Sequence, residues 1–165
     1  MYAIGDRVLY STFGVAEIVD VTEQTFMDEA KKYYVLKEYA SVSTSLTYVP
    51  VDSEALLSNM RPLLTKDEII SAVKNAKSST LLEWIEDNKA RAEYYKKVLA
   101  TFDRVNIMRL IATVRKTGER READGKKNYI ADETVMKKAE KLIKTEFALV
   151  LGIDEGEVAD FIEKI

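Results

Sequence analysis

A chain with no histidine and no cysteine has few ways to do covalent chemistry. Lacking cysteine, it can form no disulfide, thiolate nucleophile or Cys-based zinc site. Lacking histidine, it has neither the commonest general base nor the commonest metal ligand, and no Ser-His-Asp triad. Carboxylate chemistry, as in glycosidases or magnesium sites, stays open because 28 of the 165 residues are Asp or Glu. No D-x-D spacing and no Gly-rich phosphate loop supports it. The expectation is a protein that binds rather than catalyses, with no catalytic residue, metal or cofactor.

Binding chemistry is better represented. The net charge of −3 is unevenly placed along the chain. Residues 1–66 hold 6 basic and 9 acidic side chains, and residues 67–88 hold 2 and 5. Residues 89–144 hold 16 and 8, and residues 145–165 hold 1 and 6. A polyanion could dock on the basic block, although Lys and Arg are also ordinary occupants of a solvated helix surface. Just before that block stands Trp84, the single tryptophan. Two readings of it stay open: a core residue clustered with Leu81, Leu82 and Ile85, or an exposed aromatic wedge. Lys89, Arg91, Lys96 and Lys97 follow as candidate phosphate contacts, whereas Glu86 and Asp87 put acid directly beside the indole. Farther along, Arg115-Lys116, Arg120-Arg121 and Lys126-Lys127 are interleaved with Glu119, Glu122 and Asp124 and read as a solvated loop. Tyr94 and Tyr95 read as packing residues, because adjacent positions cannot share one helix face.

These candidates need elements to position them. Up to residue 63 the pattern is that of short strands: Arg7–Tyr10, a break at Phe13-Gly14, Val15–Phe26, Lys32–Tyr39 and Ser45–Val49, stopped by Pro50. Strict alternation puts Ile18, Asp20 and Thr22 on one face of the second strand and Val19, Val21 and Glu23 on the other. From residue 64 the period becomes helical. Thr65 with Glu68 forms a capping box, and Thr80 with Glu83 is a second candidate start for a helix running to Leu99. Asp103 caps a third helix, Lys116–Asp132 reads as an exposed loop, and Asp132–Leu151 is a long helix stopped by Gly152. Asp154 with Glu157 starts a short last one. The expected fold is α+β: a small Tudor-like or SH3-like bent sheet or barrel over 1–63, then an all-helical domain of four to five helices over 64–165.

This order of parts resembles the CarD/CdnL family of bacterial transcription regulators, whose N-terminal domain is shared with the transcription-repair coupling factor. Ile4-Gly5-Asp6-Arg7-Val8-Leu9-Tyr10 with Gly14 is similar to the family's opening G-D-x-V-x-Y…G pattern. Tyr33-Tyr34-Val35-Leu36-Lys37 resembles its Y-x-V-L-K strand, Leu46–Val51 the strand ending in V-P, and Arg61-Pro62 the exit. Trp84 stands where the family has its tryptophan, and Met136–Leu149 resembles the penultimate helix.

The resemblance implies that residues 1–63 grip the RNA polymerase β subunit, partly through an exposed strand edge. It implies that residues 64–165 meet promoter DNA, with Trp84 wedged into the minor groove at the upstream edge of the bubble. Gln24 and Tyr48 fall where relatives carry basic polymerase-facing side chains, so an ion pair is absent there, although a tyrosine can still anchor an interface. The acidic Glu86-Asp87 also departs from the basic residues that relatives place after the tryptophan, and it motivates an alternative: an adaptor of the same fold that binds polymerase or another protein without touching DNA. A cytoplasmic monomer is expected. No apolar run approaches the roughly 18 residues of a membrane span, Met1–Asp6 lacks a signal-peptide layout, and no heptad seam argues for a dimer.

Overall fold

The β-branched and aromatic residues of the first third form an antiparallel sheet. Its strands are β1 (Arg7–Tyr10), β2 (Gly14–Phe26), β3 (Glu29–Glu38), β4 (Leu46–Pro50) and β5 (Met60–Pro62), in the order β4-β3-β2-β1-β5. The computed structural model describes residues 1–10 and 14–165, so Phe13 of the expected break lies outside the described residues. The chain divides into two units, Met1–Leu63 and Leu64–Ile165. The first is the sheet with one short helix, α1 (Glu54–Leu57), and the second is helical, so the fold is α+β.

One face of the sheet buries Val8, Tyr10, Ala16, Ile18, Tyr34, Leu36, Val49 and Met60. Each fully buried aliphatic side chain contributes about 1.5–3 kcal/mol relative to leaving it in water. Strict alternation fails in the middle of β2. Ile18 pairs with Leu36 and Asp20 with Val35, which leaves Val19 as the extra residue of a β-bulge. Ile18 and Val21 therefore share the core face, instead of Ile18 sharing it with Asp20 and Thr22 as expected. The Met27-Asp28 connection is a two-residue hairpin loop joining Phe26 to Glu29. Both of its residues have positive φ, 48° and 63°.

In the helical unit, α2 (Lys66–Ser78) starts at the predicted capping box, with the Glu68 amide donating to Thr65 Oγ1 and the Thr65 amide to Glu68 Oε2. Helix α3 (Asn88–Ala100) is capped by Asp87 and α4 (Arg104–Ala123) by Asp103. Helix α5 (Ile130–Leu151) ends on Gly152 in the left-handed conformation, and a 3-10 turn (Glu155–Glu157) leads into α6 (Val158–Lys164). Ile69, Val73, Tyr95, Ile107, Leu110, Ile143, Phe147 and Val158 meet in its core. Two buried ion pairs tie the helices: Arg91 of α3 to Asp132 of α5, and Arg104 of α4 to Glu146 of α5.

Two helical expectations are corrected. No helix starts at Thr80: the carbonyls of Thr80 and Leu81 accept from Arg109, and those of Ile85 and Glu86 from Arg91, rather than from a helical ladder. The stretch expected as a loop from Lys116 is helical to Ala123 and only then turns. Gly118 lies inside that helix at a cost of about 1 kcal/mol relative to Ala. A Cβ there would come within 3.1 Å of the Asn128 side chain, so the glycine lets the 124–129 turn close onto the helix.

Candidate functional site

Trp84 lies on a segment without regular structure between α2 and α3, and that segment is held at several points. The Leu82 amide donates to Thr113 Oγ1 at 2.9 Å, and Arg109 Nε donates to the Thr80 carbonyl at 2.7 Å. From the α3 side, Arg91 Nη1 donates to the Ile85 carbonyl at 2.8 Å and to that of Glu86 at 3.3 Å. Leu82 is buried beneath the loop, while Trp84 itself is half-buried. The two readings of the tryptophan thus divide between neighbours: the core role falls to Leu82, and part of the indole reaches solvent.

The indole packs on charge. The guanidinium carbon of Arg91 lies 4.2 Å from the Trp84 ring centre and 4.5 Å from that of Tyr129. The two rings are 6.0 Å apart and tilted by 35°, and Arg121 lies 4.0 Å over Tyr129. Cations over aromatic faces are worth about 0.5–2 kcal/mol each, more when desolvated. Arg91 is only 1% exposed, and its Nε donates to both Asp132 carboxylate oxygens at 3.1 and 2.9 Å. Its remaining fork reaches Asn88 Oδ1 at 2.8 Å. The expectation of Arg91 as a surface phosphate contact is therefore corrected: its donors are engaged inside the unit.

The lysines separate from it. Lys89, Lys96 and Lys97 are exposed on α3, whose opposite side buries Arg91, Tyr95 and Val98. Other cations lie nearer the indole. A groove of about 240 Å³ beside Trp84 is lined by Thr117, Arg120, Arg121 and Lys126, with Asp124 the one acid. Residue by residue these cations read as a solvated loop, whereas Arg120 and Arg121 lie on α4 and only Lys126 on the turn that follows it. Exposed Glu83, Glu86 and Asp87 flank the indole on its own segment. The buried carboxylates Asp132 and Glu146 are each committed to an arginine, and among the described residues no three acidic side chains converge as a metal site.

In the sheet unit, β4 is an edge strand. The Val51 amide donates to the Lys32 carbonyl, so by antiparallel alternation Val49 and Thr47 face β3 while the N–H and C=O groups of Leu46 and Tyr48 face outward. Tyr48 is 46% exposed and packs edge-on to Tyr33 at 6.4 Å. Gln24 is exposed on the ribbon that β2 and β3 extend past the end of β4, opposite Lys31. Gln24 and Tyr48 thus occupy different strands, two apart in the sheet order.

Residues 2–64 match the CarD-like/TRCF RID domain. Over those residues the N-terminal unit is similar to a CarD-like RID domain. Within it the G-D-x-V-x-Y residues lead into and form β1, Y-x-V-L-K lies on β3, V-P closes β4 and Arg61-Pro62 ends β5. A Bacillus subtilis (strain 168) protein named "Putative transcription factor YdeB" is 30% identical over 99 residues. That similarity covers 58% of this chain and 63% of the relative's length. Trp84 and its surroundings lie outside the residues matched to the RID domain. No helix among the described residues is long and apolar enough to cross a membrane.

Proposed function

We propose that this protein is a transcription regulator that binds the RNA polymerase β subunit through its CarD-like RID domain and promoter DNA through its helical unit. The RID match and the transcription-factor relative support the class of function. The open β4 edge with Tyr48 offers unpaired backbone groups that a strand of the β subunit can complete, and Gln24 extends that surface along the hairpin. Trp84 acts at the upstream edge of the bubble, where the accessible part of the indole offsets part of the cost of unstacking a base step. Lys89, Lys96 and Lys97, together with Arg120 and Lys126, hold the phosphates. No bond is made or broken.

The observation that carries this reading is a partly buried tryptophan on a pinned, non-helical segment beside a cation-lined groove. The test compares wild type and Trp84→Ala for binding to polymerase alone and for the lifetime of a polymerase–promoter open complex. Equal polymerase binding with a longer open complex for wild type only is the expected result. If both variants bind and neither changes the lifetime, the DNA role fails. That outcome favours the second reading, an adaptor without DNA contact, for which the exposed Glu83, Glu86 and Asp87 around the indole speak.

A further inference from the structure

We infer that Arg91 is the positioning residue of Trp84: its guanidinium fixes the indole and the carbonyls after it in one geometry, with Asp132 as the counter-charge that holds the guanidinium in place. The functional consequence rests on the DNA-contacting role proposed above, whereas the positioning itself does not. The Trp84 segment has no helical or sheet ladder to fix it, so its geometry depends on side chains that reach it. Arg91 makes three contacts with it at once: over the ring at 4.2 Å, to the Ile85 carbonyl at 2.8 Å and to the Glu86 carbonyl at 3.3 Å. A planar fork can do this and a lysine ammonium cannot, having neither a flat face nor donors fixed in two directions. The burial supports the same assignment. A charge that is 1% exposed is retained only where it is paired, and the pairing reaches 41 residues along the chain to Asp132, which is 4% exposed. An apolar pair could fill the same space, since buried ion pairs are often replaceable without loss of stability. What an apolar pair could not supply is the ring contact and the two carbonyl bonds.

Trp84 is the single tryptophan, so intrinsic emission of the full-length protein reports this site alone. Arg91→Lys is compared with wild type for emission maximum and iodide quenching, with far-UV circular dichroism and urea unfolding on the same samples. A red-shifted, more readily quenched Trp84 in a folded protein is expected. The doubly substituted Arg91→Met/Asp132→Leu protein guards against a failure to fold, because it leaves no unpaired buried charge. In it, folding stability is expected to recover while the altered emission and quenching remain, a separation that a merely structural ion pair would not produce. Wild-type emission and quenching in either folded variant overturns the inference. Open-complex lifetime is then measured for the same proteins. Arg91→Lys falling to the level of Trp84→Ala is the expected result. If Trp84→Ala itself leaves the lifetime unchanged, the DNA reading fails while the positioning of Trp84 stands or falls on the emission data.

Discussion

The Arg91 guanidinium lies 4.2 Å over the ring of Trp84 while its Nε is held by both carboxylate oxygens of Asp132. A residue that the sequence presents as one more cation after an aromatic is thereby turned inward. Under the proposed DNA role, the phosphate-facing charge has to come from other side chains, for which the groove lined by Arg120 and Lys126 is the candidate.

Replacing Arg120 or Lys126 by Ala is expected to weaken association with promoter complexes about equally across promoter sequences. Each is expected to lower the slope of log K against log salt by about one if it meets one phosphate. Salt titrations of open-complex binding measure this directly, and an unchanged slope removes that residue from the phosphate-contacting set.

Glu146 takes bonds from Arg104 Nε at 2.9 Å, Arg104 Nη2 at 2.7 Å and the Leu64 amide at 2.9 Å, and it is fully buried. Glu146→Ala leaves a mostly buried guanidinium without its carboxylate and is expected to destabilise the helical unit by about 3–5 kcal/mol. Urea unfolding followed by far-UV circular dichroism checks it, and a loss below about 1 kcal/mol contradicts the assignment of this pair as a structural tie.

Tyr95 is buried, and its phenol pKa is pushed up to about 12, first by burial and then by the Asp132 charge, with Arg91 opposing. In the unfolded chain the same phenol ionises near pH 10, as model peptides do. Between these values the unfolded state holds fewer protons, so stability falls as pH rises from 10 to about 12. The loss amounts to about 2–3 kcal/mol, and below pH 10 it is absent. Tyr95→Phe is expected to remove this alkaline slope. At pH 7 it should cost under about 1 kcal/mol, because the hydroxyl has no hydrogen-bond partner among the described residues. Urea midpoints at pH 7, 10 and 11 test both statements.

Met27 and Asp28 both adopt positive φ in the two-residue β2–β3 loop, a geometry that Asn-Gly suits better. Met27→Asn with Asp28→Gly is expected to stabilise the sheet unit by about 1 kcal/mol, seen as a higher unfolding midpoint. It also removes an 88% exposed methionine from the hairpin tip.

Local signals made much of this fold readable. Thr65 with Glu68, Asp103 and Gly152 mark helix ends through bonds made within a few residues, and all three act as the sequence indicates. The failures involve distant partners. Thr80 with Glu83 has the spacing of a capping box, but Arg91, Arg109 and Thr113 reach in and bind that segment in another form. The burial of Arg91 depends on Asp132 and Tyr129, which no nearby residue announces. The cations of the 115–127 stretch look like an undirected loop, but Arg115, Lys116, Arg120 and Arg121 continue α4 and only Lys126 and Lys127 lie on the turn after it. Trp84 was legible as the residue to watch; what supports it was not.

The extra residue in β2 has a consequence for which lengths of this strand the fold can accept. A strand carries a parity, and inserting or deleting one residue ordinarily exchanges inside and outside for everything beyond the change. At Val19 the parity is already broken, with Ile18 and Val21 pointing the same way across it. Deleting Val19 would leave Ile18, Asp20 and Val21 in plain in-out-in succession, removing a local bend but no core contact of either flank. Relatives one residue shorter in this strand can therefore keep the same inner face, provided the gap falls here.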